Sequence, residues 1–260
     1  MNIKNRDSGK IKYLLDTMAC RFNVPGFIDH DPIQFPRSFS LPQDIEISAF
    51  LTAAITWGKR SIILKSARRM HLLMGRSPYD YVMGRGYEKL GKANIHRTFF
   101  ETDMTYICRG LRNIYSLYGS CEPLFTAGAT AGRLWQGIGA FRTHIGEANR
   151  ENDLRSLKHI SSPASSSACK RMFLALRWLV RNDGIVDIGL WKNISPAELV
   201  IPLDVHVGNT ARKLGLLSRK QNDCKAACEL TEALRNFNPA DPVLYDFALF
   251  GMGESKTDIR

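Results

Sequence analysis

Apolar residues recur at helical spacing along most of the chain, and clusters of proline, glycine and serine interrupt the pattern. Helices are therefore expected near residues 9–22, 43–57, 59–75, 95–118, 130–148, 165–182, 204–216, 220–236 and 241–250. No segment alternates convincingly enough for a strand, so the fold class is all-α. Residues 23–42, NVPGFIDHDPIQFPRSFSLP, hold four of the eleven prolines and read as extended or turning backbone. Pro42 then opens a helix with an acidic first turn. In SSPASSSACK, residues 161–170, Pro163 and the serine run would cap a helix beginning near Ser165. A flexible linker is the competing reading, but apolar periodicity resumes at once. Ser195 and Glu198 have the spacing of a capping box ahead of PLDVH.

Two side chains within this pattern admit chemistry as well as structure. Asp204 follows Pro202, which disfavours helix at Ile201, and precedes an apolar stripe of Val207, Ala211 and Leu214. As an N-cap it would satisfy free amides, and those amides would keep its carboxylate ionised. Lys170 falls near the start of its helix, where burial and the positive helix end would both disfavour the ammonium. A neutral lysine amine attacks electrophilic carbon and forms Schiff bases. A solvated lysine touching a phosphate is the alternative reading.

Charge points to the kind of partner. The 260-residue chain carries 36 Lys and Arg against 25 Asp and Glu, a formal +11, with a pI near 9.5. That excess favours a polyanion, most often nucleic acid. It is concentrated in WGKRSIILKSARRMHLLMGR, where Lys59, Arg60, Arg68 and Arg69 stand with no acidic residue, and again in CKRMFLALRWLVR, with Arg171. No apolar run is long enough to cross a membrane. The first residues show no apolar segment followed by a cleavage site, so a cytoplasmic location is expected, at the nucleoid if DNA is bound. The six cysteines are scattered and read as free thiols. Cys224 and Cys228 share a helical face, but no second close pair completes a metal site.

Lys170 at a helix start, followed by Asp204-x-His206 opening the next long helix, resembles the helix-hairpin-helix superfamily of DNA glycosylases, which includes endonuclease III. SACKRMFLALRWLVRNDGIVDIGLW, ISPAELVIPLDVHVGNTARKLGL, DPVLYDFALFGMG and, nearer the N-terminus, DPIQFPRSFSLPQDIEISAFLTAAITWGKR resemble an uncharacterised bacterial family placed as a divergent branch of that superfamily. Two departures stand out. The glycine hairpin that grips a phosphate is replaced by SPASSSAC, where Ser165, Ser166 and Ser167 would hold the phosphate instead. The interval from Lys170 to Asp204 is 34 residues (204 − 170), longer than in endonuclease III and closer to the archaeal oxoguanine glycosylase branch. The cysteine loop that holds an iron–sulfur cluster in some relatives is absent after Asp204, so no cluster, metal or other cofactor is expected.

The resemblance implies base excision, with or without strand cleavage, from double-stranded DNA. Lys170 would attack the sugar C1′, and Asp204 would stabilise the charge developing on the sugar and help deprotonate the lysine. An extruded base needs an aromatic pocket. Trp57, Trp191 and His206 are its candidate walls, each with a core-packing or structural alternative. The expected architecture is two helical subdomains flanking a cleft: residues 42–160 form one, residues 1–41 with 200–260 form the other, and residues 161–199 bridge them and deliver Lys170. Two other functions fit the same residues: a DNA- or RNA-binding protein that keeps the fold without excision, and a different enzyme using the Lys–Asp pair on a nucleoside or RNA. No obligate protein partner is expected.

Overall fold

The computed structural model describes residues 5–149 and 154–254. The parts of the expected segments that fall on residues 1–4, 150–153 and 255–260 lie outside the described residues. Among the described residues the chain forms α1 (Asn5–Phe22), α2 (Pro42–Ala54), α3 (Arg60–Met74), α4 (Pro78–Met83), a hairpin of β1 (Asn94–His96) and β2 (Phe99–Phe100), α5 (Glu101–Tyr118), α6 (Glu122–Thr126), α7 (Arg133–Glu147), α8 (Lys170–Val180), α9 (Val205–Lys213), α10 (Cys224–Arg235) and α11 (Tyr245–Glu254). The fold is all-α apart from that hairpin, short 3-10 turns fill the proline-rich arm at residues 25–38, and all six cysteines are free. Among the described residues no helix is long and apolar enough to cross a membrane.

α2 is the core helix, buried from Asp44 to Ala54. It packs against α8, while α5, α6 and α7 pack on one another at its far side. α1 packs on α11, and α11 on α9. Gly251 lets α11 approach α1, because a Cβ there would come within 2.2 Å of the Phe22 ring.

Two expectations need correction. The periodic segment 95–118 begins with the antiparallel hairpin, turned by Arg97 in the left-handed region at φ 50°. Strands this short carry too few residues for alternation to register. The helix expected from Ser165 begins five residues later. Ser166 and Cys169 both take left-handed backbone, at φ 58° and 47°, which interrupts a right-handed helix. Ser167 instead pairs with Asp223 in an antiparallel bridge, and the Cys224 amide donates to the Ser166 carbonyl at 3.0 Å. The serine loop is thus tied to the start of α10. Lys170 becomes the first residue of α8.

The C-terminal half of α8 carries buried cations. Arg177 donates through Nε to Asp187 at 3.2 Å and through Nη1 to Asp246. Arg181 donates to Asp187 at 2.6 Å and to Asp241 at 2.8 Å. Both guanidiniums lie over the ring of Phe247.

Trp191 is a core residue, not a pocket wall, being 3% exposed and packed between Phe50 and Phe125. Its indole N–H donates to Glu46 Oε1 at 2.7 Å, while the Tyr115 hydroxyl and Cys121 amide donate to Oε2. Burial pushes the Glu46 carboxyl up, so each donor matters. Trp191→Phe should cost about 1–3 kcal/mol by removing one bond from a buried acceptor, a loss that urea denaturation would read.

Candidate active site

The C-terminal end of α2 meets the first turn of α8. Lys170 Nζ donates to the Thr56 carbonyl at 3.2 Å, and Arg171 Nη1 donates to the Ala54 carbonyl at 2.9 Å. Both cations stand at the negative end of α2, which favours them. Burial pushes the Lys170 ammonium below its ordinary range, against the pull of Asp204, Asp246 and Asp31.

Asp204 caps α9, its Oδ1 accepting from the Val207 amide at 2.9 Å. Its carbonyl accepts from the Gly208 amide at 2.9 Å and from Asn222 Nδ2 at 3.0 Å. Oδ2 accepts no hydrogen bond among the described residues. The local reason is sequential: Pro202 ends the preceding segment, and an aspartate two residues later supplies the cap.

Lys170 and Asp204 line one cavity of about 590 Å³. Trp57, Phe27 and Phe250 supply its aromatic walls, with Leu174 between them in the first turns of α8. Trp57 is half-buried, edge-on to His96 at 4.7 Å and stacked on His159 at 5.7 Å. His206 also lines the cavity, exposed and edge-on to Phe250 at 6.5 Å. Arg60 enters from the start of α3, over Phe250 at 4.9 Å and paired with Glu254 at 3.0 Å.

The remaining candidates sit elsewhere. Lys59 is exposed at the N-cap position of α3, and Arg68 is exposed on the same helix. Arg69 reaches the Asn94 carbonyl at 2.8 Å and Glu101 at 3.7 Å. Ser165 and Ser166 are exposed and Ser167 is half-buried, outside the cavity lining. Arg171, expected at a phosphate, is instead half-buried: its second nitrogen donates to the Lys158 carbonyl at 3.3 Å, and its guanidinium covers Trp57 at 5.1 Å. A side chain committed to two carbonyls and a ring is a fastener between α2 and α8.

Sequence reasoning missed Asp31, Arg177 and Asp246, which also line the cavity. Asp246 stood out in principle, as the lone charge in the apolar run LYDFALF. Burial pushes its carboxyl up to about 6, helped by Asp204 and opposed by Arg177 and Lys170. The site thus sets one amine among four carboxylates, Asp31, Asp204, Asp246 and Glu254, with aromatic rings beside them. Such a set can bind a planar ring, attack an electrophilic carbon and move protons without a metal. Among the described residues no three His, Cys, Asp or Glu side chains gather closely enough to hold one.

A family model described as "Protein of unknown function (DUF2400)" matches residues 31–255. The chain belongs to the DUF2400 family. Of the cavity residues named above, Phe27 alone falls before the matched span, so the Lys170–Asp204 constellation lies wholly within the DUF2400 region. Neither the curated proteins nor the solved structures yield a match.

Capping and ionisation can be tested separately. Asp204→Ala should lower stability by about 0.5–2 kcal/mol through loss of the cap, whereas Asp204→Asn, an equally good cap, should change it little. Chemical denaturation of the two variants reads the difference. Asp246 has a folded value near 6 against an ordinary 3.8, so the folded state holds its proton more tightly and the stabilisation is present at acid pH. That contribution is lost as pH rises from about 4 through 6. Wild type should therefore lose stability relative to Asp246→Asn across that window, as thermal melts at stepped pH would record.

Proposed function

We propose that this protein is a DNA glycosylase, with a helix-hairpin-helix-like fold, that excises a damaged or modified base through Lys170 and Asp204, with strand cleavage as a possible sequel. The observation that carries the reading is the meeting of two side chains 34 residues apart (204 − 170) on one cavity. One is an amine at the first residue of α8 and the other a carboxylate held by the cap of α9. The cavity volume of about 590 Å³ falls within the roughly 300–1,000 Å³ common for ligand pockets. Its aromatic walls suit a base taken out of the stack.

The two-subdomain reading draws support from the origin of the walls. Trp57 and Arg60 come from the 42–160 segment, Lys170 and Arg177 from 161–199, and Phe27, Asp31, Asp204, Asp246 and Phe250 from the two ends of the chain. The exposed cations of α3, a helix whose first residue Arg60 lines the cavity, with a net +11, would supply the electrostatic attraction that phosphates require. A nucleoid location in the cytoplasm follows from that substrate.

In the proposed reaction the Lys170 amine attacks C1′ as the base departs, giving a Schiff base once the sugar ring opens. Asp204 faces the positive charge that develops on the sugar, held in place by the α9 cap.

Incubation with duplexes carrying oxidised guanine, uracil or an abasic site, under borohydride, should trap a covalent protein–DNA adduct. Lys170→Ala should abolish it, and Asp204→Asn should slow base release by about 10²–10³-fold without loss of folding. Salt-sensitive binding with neither adduct nor base release on any duplex would defeat the proposal. It would leave a nucleic-acid-binding protein in which Asp204 is a helix cap.

A further inference from the structure

Lys170 must shed an ammonium proton before its lone pair can attack, and Asp204 is poorly placed to keep that proton. The Val207 amide holds Asp204 Oδ1 at 2.9 Å, which commits that oxygen to the cap of α9. Three further carboxylates line the same cavity, of which Glu254 is paired to Arg60 at 3.0 Å. Asp31 is half-buried and already caps a 3-10 turn, its Oδ1 accepting from the Ile33 amide at 3.0 Å. Asp246 is 5% exposed and accepts from Arg177 through Oδ2. Its Oδ1 accepts no hydrogen bond among the described residues. Arg177 is itself shared with Asp187 and cannot turn wholly to Asp246. The amine is thus surrounded by the Thr56 carbonyl just past the end of α2, Asp31 from the proline-rich arm, Arg171 and Arg177 from α8, Asp204 at the cap of α9 and Asp246 from α11, while Arg60 of α3 is paired to Glu254.

We propose that Asp246 is the proton acceptor for Lys170, which leaves Asp204 to its cap and to the sugar; this rests on the excision reading above. The step balances. The Nζ–H bond breaks, its proton moves to a carboxylate oxygen of Asp246, and the electron pair stays on nitrogen. That pair forms the bond to C1′ while the glycosidic C1′–N bond breaks with its pair going to the base. The proton on Asp246 then passes to the departing base, and Asp246 returns to its ionised form. Proton exchange is assisted by the site itself. In water the two groups differ by about 6.5 pH units, but burial pushes Asp246 up to about 6 and Lys170 down.

The test uses full-length protein and a duplex from which wild type releases a base. Base release is followed in single turnover across pH, and Lys170 is labelled separately with trinitrobenzenesulfonate and quantified by peptide mass spectrometry. Asp246→Asn should slow base release by about 10²-fold and remove the acidic limb of the pH profile. The same change should speed labelling of Lys170 at neutral pH, because a carboxylate that favours the ammonium has gone. A residue that merely tuned the amine would raise both rates together, and that outcome overturns the proposal, as does unchanged labelling or an unchanged pH profile. If Asp246→Asn fails to fold, Asp246→Glu carries the test: the displaced carboxylate must shift the acidic limb, and an unmoved limb overturns the assignment. Wild type that neither forms an adduct nor releases a base defeats the excision reading together with this one; wild type that does both, beside an indifferent Asp246→Asn, defeats this one alone.

Discussion

Arg177 is a guanidinium at 4% exposure in the middle of the fold, on the lining of the cavity. A cation so buried is tolerated only with carboxylates in contact, and removing one partner from such an arrangement costs about 3–5 kcal/mol. The partners here are Asp187, from the loop after α8, and Asp246, from α11. Arg181 repeats the requirement one turn on, with Asp183, Asp187 and Asp241. These ion pairs decide that α11 and the 183–191 loop lie against α8. The cavity is the space left in front of them, between that wall and the end of α2.

The protein is basic as a whole, yet its cavity is lined by three aspartates. The two features act at different ranges. The field of exposed cations extends about a Debye length into solvent, while carboxylates lining a cavity act on the few atoms that enter it. Lys170 stands at the join, drawn toward the Thr56 carbonyl by α2 and toward the acids by α9 and α11. Its protonation is therefore set by groups contributed from distant parts of the chain.

How much of this the sequence disclosed depended on whether the cause was local. The helices with clear periodicity, the Ser195–Glu198 capping box and the Asp204 cap are all short-range features, and all are present. The start of α8 was misread because the serine loop is shaped by its bridge to Asp223, 56 residues on (223 − 167), which no local pattern encodes. Trp191 looked like any other tryptophan until Glu46, 145 residues away, claimed its indole. Asp31 and Asp246 escaped for the same reason. An aspartate before a proline reads as a turn, and one aspartate in an apolar helix reads as noise, until the fold aims both at the same amine.

The packing of α1 on α11 has a consequence for the order of folding. Three of the cavity's contributors, Asp246, Phe250 and Glu254, belong to α11, which docks on α1 and on α9. Contacts between segments as far apart in sequence as α1 and α11 form late in folding. Until α11 docks, Lys170 and Asp204 lack the wall that these three side chains supply. Completion of the cavity is thus tied to the closing step of the fold, not to the formation of the helices that carry the amine and the cap.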